Sequence, residues 1–186
     1  KTRGLAFGFN RAMDKAGAFL GLLLAALVVW LTQSTTISLT RSTFQTIVLV
    51  SLLPAFLAVI LLAVGTKDVA VKGQRQVPKF SLSKMGKPYT TFLVIISIFT
   101  LGNSSDSFLV LRAQNLGISV IGILVMLAVY NLVISLVATP AGSLSDHIGR
   151  RKLIIGGWLV YAAIYFGFAL AHSAWHVWAL NIAYGL

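Results

Sequence analysis

Cysteine and glutamate are both absent from the 186 residues, and proline occurs only four times. Without cysteine there is no disulfide and no thiolate metal site. The acidic side chains reduce to four aspartates, which leaves little material for the clusters of acids, histidines and nucleophiles on which membrane enzymes rely. Charge is scarce altogether: charged residues make up 10% of the chain against 58% hydrophobic, and the mean hydropathy is +0.90. A soluble domain could not carry that composition without exposing a large apolar surface. An integral membrane protein is predicted. The alternation of polar and apolar residues over ~10-residue strands that a transmembrane barrel needs is also missing, so the predicted fold class is all-α, a polytopic transmembrane helical bundle.

What is abundant is apolar sequence, in runs that approach or exceed the roughly 20 residues needed to span a ~30 Å hydrocarbon core. Five complete spans and one truncated span are predicted, at about Ala12 to Leu31, Phe44 to Val64, Tyr89 to Leu111, Ile118 to Thr139, Leu153 to Ala171, and from Ala174 onward. The net charge of +11 comes from 15 Lys and Arg against the four Asp, and the bases fall in the gaps between the runs. That distribution argues against nucleic acid as a partner and for topology signals facing anionic lipid headgroups. Arg41 and Arg112 stand alone in two gaps, whereas the other 13 bases occupy the alternate ones. The positive-inside rule therefore puts the N-terminal segment, the long polar stretch GTKDVAVKGQRQVPKFSLSKMGKP and the segment around Arg150 to Lys152 in the cytoplasm. The chain begins at Lys1 without a Met, shows no signal-peptide pattern, and ends inside an apolar run. It reads as a piece of a longer polypeptide whose missing helices would complete it.

Several residues stand out within this frame. Pro54 is expected to kink the second span, and Pro88 sits at the start of the third, where a missing N–H is tolerated. Gly17, Gly21 and Ala25 share one helical face of the first span and predict a close packing seam. Asp106, with Asn103, Ser104 and Ser105 before it, is the carboxylate well inside a span, eighteenth in a helix starting at Tyr89. That places it roughly 25 Å along the helix, at the outer rim, where gating or hydrogen bonding is expected rather than proton coupling. His172 and His176 have the i, i+4 spacing of a metal pair, but further ligands are lacking and both lie at an interface rich in Trp, so no metal is predicted.

The most informative stretch is PAGSLSDHIGRRKLII, Pro140 to Ile155, a polar knot between two apolar runs. A plain loop would need only bases to mark its side of the membrane, so Asp146 and the glycines Gly142 and Gly149 require a reason. If the next helix starts near Arg150, Asp146 lies just before or within its first turn, where the helix dipole favours a negative charge. GSLSDHIGRRKLI resembles the G-x-L-x-D-R-x-G-R-R/K signature of the major facilitator superfamily. Gly142, Leu144, Asp146, Gly149, Arg150 and Arg151 fall on the pattern; His147 stands where an arginine is usual, which makes the charge at that position pH-dependent. RAMDKAGAFLG, Arg11 to Gly21, resembles the start of the family's fifth helix, and LGNSSDSFLVLRAQNLG, Leu101 to Gly117, the outer end of its seventh.

The resemblance implies that the chain covers helix five to part of helix ten of twelve. Residues 1–65 would end the N-terminal six-helix half, 66–88 would form a cytoplasmic basic linker, and 89–186 would begin the C-terminal half. The implied function is secondary active transport of a small solute by rocking two bundles around a midplane site, without a cofactor and with proton or ion coupling undecided, in a bacterial inner membrane. A polytopic membrane enzyme or a non-transporting receptor is the alternative. The resemblance further implies that Asp146 reaches the N-terminal end of the first span, near Arg11, Asp14 and Lys15, as a latch of the cytoplasm-closed state, while Arg150 and Arg151 pair or snorkel at the inner interface. Tyr130 and Asn131, midway along the fourth span, fall at the implied depth of the solute cavity.

Overall fold

A computed structural model describes residues 3–33, 38–67, 86–102 and 106–186, with backbone alone at 102, 106 and 150; the described residues form seven α-helices and no strand. Asn103, Ser104 and Ser105, and most of the expected 66–88 linker, lie outside the described residues.

Helix α1 spans Arg3–Thr32, 30 residues, or about 45 Å at 1.5 Å per residue. It starts well before the predicted Ala12, because Arg11 and Lys15 lower the local hydropathy yet are good helix formers. Helix α2, Arg41–Gly65, starts at Thr40, whose hydroxyl accepts from the Thr43 N–H, and it carries Pro54 inside. The corner between the two is held by hydroxyls. Thr43, 1% exposed, lies 3.0 Å from the Thr32 hydroxyl and accepts from that of Thr40 at 2.9 Å. Each group thus finds a partner where water is scarce.

The predicted third span is described in two pieces, α3 (Gly86–Gly102) and α4 (Asp106–Asn115), on either side of residues 103–105. Asp106 is the first described residue of α4. Helix α4 ends in a Schellman motif: Gly117, at φ 81°, donates to the Gln114 carbonyl, and Ile118 donates to that of Ala113.

Helix α5 runs Val120–Ile148, capped by the Ser119 hydroxyl, and passes Thr139, its predicted end, by continuing through Pro140. The polar knot is therefore mostly helix. Helix α6, Arg150–Ala169, follows after the single residue Gly149. Gly149 has φ 89° and ψ 141°, a combination nearly restricted to glycine, so a corner this tight depends on it. Helix α7 spans Ala174–Tyr184. Its leading Ser173 hydroxyl pairs with His176 Nδ1 at 2.9 Å instead of capping the helix.

Four of these helices, α1, α2, α5 and α6, are long and apolar enough to cross a membrane. The core lies where α4, α5, α6 and α7 converge, around Leu109, Ala113, Ile123, Met126, Phe168 and Val177. Arg112 donates to the Ala171 carbonyl at 2.5 Å, tying the end of α4 to the α6–α7 corner. The longest contact is antiparallel, between α1 and α5: Gly4 lies beside Gly142, Gly8 beside Ala138, and the Ser135 hydroxyl donates to the Ala12 carbonyl at 2.8 Å.

Candidate functional site

The seam between α1 and α5 is built for close approach. A Cβ on Gly8 would fall 2.5 Å from the Ala138 carbonyl oxygen, and one on Gly142 would fall 3.1 Å from the Gly8 Cα and nearer still to the Gly4 carbonyl. No side chain fits there, so the two backbones touch. The packing face expected at Gly17 and Gly21 is a different one and does not meet α5: a Cβ at either position would meet nothing within 4 Å among the described residues. Both glycine series repeat every four residues in the sequence, but only Gly4, Gly8 and Ala12 face α5.

Proximity at the glycines brings Asp146 to the end of α1. Its carboxylate accepts from the Gly4 N–H at 3.1 Å and from the Leu5 N–H at 3.2 Å, one bond to each oxygen. Gly4 and Leu5 are the second and third residues of α1, the positions whose N–H groups a helix's own N-cap residue normally satisfies. Asp146 thus caps α1 from another helix, with its negative charge at the positive end of the α1 dipole. Two expectations are corrected. Asp146 is in the last turn of α5, not the first turn of the following helix, so its own helix dipole opposes its charge. Its partners are backbone groups at Gly4 and Leu5, not the side chains of Arg11, Asp14 or Lys15, which lie farther along α1 because that helix starts earlier than hydropathy indicates.

The other motif residues take separate places. Gly142 supplies the close approach and Gly149 the positive φ, so the two glycines serve different needs and do not share one turn. Leu144 is 47% exposed. Arg150 opens α6, and the exposed Arg151 lines an apolar cavity between α3 and α6 with Phe92, Ile95 and Trp158. His147 is exposed in the last turn of α5.

At mid-depth, Tyr130 stacks on Tyr184 with ring centroids 5.2 Å apart. Asn131 does not face an open space. It is 8% exposed, and its amide donates to the Leu127 carbonyl of its own helix at 2.8 Å. Sequence reasoning missed the rings around Tyr130. Tyr184 also meets Tyr161 and Tyr165, and Phe99 stacks on Trp158 at 4.3 Å, so six half-buried rings join α3, α5, α6 and α7. The signal was present as Trp158, Tyr161 and Tyr165, which fall at i, i+3 and i+7 on one face of a helix. Also missed was Asn181, 2% exposed, whose amide oxygen has no hydrogen-bond partner among the described residues.

The Major Facilitator Superfamily profile matches residues 1–186. An uncharacterized MFS-type transporter of Methanocaldococcus jannaschii is 31% identical over 192 residues, covering 100% of this chain and 46% of the archaeal protein. The chain thus spans about half the length of that relative. No solved structure matches. With a family match over its whole length, and with helices long and apolar enough to cross a bilayer repeatedly, the chain is a multi-pass membrane protein and belongs to the Major Facilitator Superfamily.

Proposed function

We propose that this chain is the middle portion, helix five to part of helix ten, of a secondary transporter that moves a small solute by alternating access. On this reading α1 and α2 close one six-helix half, residues 66–88 link the halves on the cytoplasmic side, and α3 to α7 open the other. Membership in a family that includes a transporter relative supports transport over an enzyme or a receptor. A prokaryotic plasma membrane, and specifically a bacterial inner membrane, is the location we propose; no cofactor is invoked.

The observation that carries the mechanism is the trans cap. Asp146 bonds the N-terminus of α1 across the seam, so it acts as a latch that favours the cytoplasm-closed, outward-open state. Separation of α1 from α5 opens a path to the cytoplasm, and that separation breaks both bonds at once. The solute site is placed at mid-depth beside Tyr130, where the ring cluster offers flat apolar surfaces and the α-helical depth suits a midplane cavity. Full-length protein in proteoliposomes tests the reading. Solute uptake is expected from the intact protein, with Asp146→Asn altering uptake rate but not insertion; turnover of a lipid substrate without uptake would replace transport with enzymology.

A further inference from the structure

We propose that a groove beside the latch, between α1, α5 and α6, is a binding site for one anionic phospholipid. The groove has a volume of about 420 Å³ and is walled by Phe7 and Arg11 of α1, Ala138 and Ser145 of α5, and Leu153 and Ile154 of α6. Its surface is mostly apolar, and Phe7 stands 76% exposed on it. Arg11 is the one charged side chain lining the groove, and it makes no hydrogen bond or ion pair among the described residues. Its neighbours extend the same charge: Lys15 lies one turn along α1, and Arg151 and Lys152 stand at the start of α6 just before Leu153.

That combination selects the ligand. A soluble anion would satisfy Arg11 but leave Phe7, Leu153 and Ile154 against water, whereas a zwitterionic lipid would fill the walls and bring its own cation beside the bases. An anionic phospholipid satisfies both, with its phosphate on the guanidinium and an acyl chain along the apolar wall. Two acids are near. Asp14 is a turn from Arg11 and exposed, and the Asp146 carboxylate is engaged by α1 N–H groups, so bases predominate at the rim. Because Phe7 and Arg11 ride on α1 while Leu153 and Ile154 ride on α6, the lipid contacts both sides of the seam and favours its closed form. This last consequence rests on the proposed assignment of α1 and α6 to opposing halves; the binding site itself does not.

Full-length protein reconstituted in nanodiscs of phosphatidylcholine with phosphatidylglycerol, then examined by native mass spectrometry, provides the test. One retained phosphatidylglycerol per protein is expected. Arg11→Gln should lower its retention roughly fivefold, the weight of one interfacial base, while Arg11→Lys keeps most of it and phosphatidylcholine retention stays unchanged. Should Arg11→Gln fail to fold, Phe7→Asp, which puts a carboxylate on an exposed wall position, should expel the lipid equally. Unchanged phosphatidylglycerol retention in these variants overturns the proposal, as does equal retention of phosphatidylcholine, or displacement of the lipid by millimolar inorganic phosphate. Retention is read without transport, so a failed transport assay leaves this result standing and a failed retention assay leaves transport untouched.

Discussion

Replacement of Asp146 by Asn perturbs the trans cap, the proposed latch, with the least change in shape. The carboxylate holds two α1 N–H groups, at 3.1 and 3.2 Å. Asn presents one carbonyl acceptor, so one bond is lost, a net ~1 kcal/mol. Loss of the charge also removes an attraction to the α1 N-terminus of about 0.3–1 kcal/mol at a surface site. Asp146 stands in the last turn of α5, however, where the opposite dipole end repels it by a similar ~0.3–1 kcal/mol. The two dipole effects nearly cancel, which leaves the lost bond and about a fivefold fall in the ratio of closed to open seam. Spin labels on Asn10→Cys and Lys152→Cys, both exposed in the wild type, would report that ratio by pulsed EPR in full-length protein cleared of other cysteines. The ratio of longer- to shorter-distance populations should grow about fivefold. Populations unchanged within about twofold would refute the reasoning, because that interval is smaller than the effect of one net hydrogen bond.

The glycines give a paired prediction: Gly142→Ala puts a methyl into the Gly4 carbonyl and should destabilise the seam by ~1–3 kcal/mol, whereas Gly17→Ala, with open space around it, should be neutral or stabilise α1 by up to ~1 kcal/mol. Thermal unfolding in detergent distinguishes them, and equal effects would mean that the seam has been misplaced. Arg112→Gln removes a charge-assisted bond to the Ala171 carbonyl and should cost ~1.5–3 kcal/mol, measured as lost thermal stability against an Arg41→Gln control at an exposed base. Asn181→Leu removes a buried oxygen that lacks a partner and should raise stability by ~1 kcal/mol; a fall would show that the amide is satisfied in the full-length protein.

Much of this architecture was legible in the sequence because lipid imposes long apolar runs, and four of those runs became helices of spanning length. The boundaries were not. Hydropathy reports transfer to lipid, while helix formation continues wherever backbone bonds do, so α1 began at Arg3 and α5 continued through Thr139 and Pro140. At the site, the signature singled out Asp146 and its glycines, but not the backbone groups that Asp146 meets. Gly4 and Leu5 carry no distinguishing side chain, and a backbone donor becomes special only when a helix starts there. The ring cluster went unread because each aromatic residue alone is ordinary in a membrane helix, and only the fold sets Tyr184 beside Tyr130.

The strength of the trans cap follows from how α1 begins. The first turn of α1 has no acidic residue of its own, so the charge that complements its N-terminus is supplied by α5. When the seam opens, water replaces the carboxylate on the freed N–H groups, which keeps the cost near the ~1 kcal/mol of one exchanged hydrogen bond and far from the full price of a buried donor left bare. Such a contact biases a two-state equilibrium without fixing it. A buried ion pair at the same place would hold the seam more firmly, since breaking one costs ~3–5 kcal/mol, and a population shifted that far would rarely visit the other state. The single-residue corner at Gly149 makes the bias effective, because α5 passes almost directly into α6 and a displacement of Asp146 must move the start of α6 as well. On the proposed latch reading, an exposed carboxylate on a helix end, set on glycines that let two backbones touch, is thus a contact strong enough to favour one state and weak enough to release it.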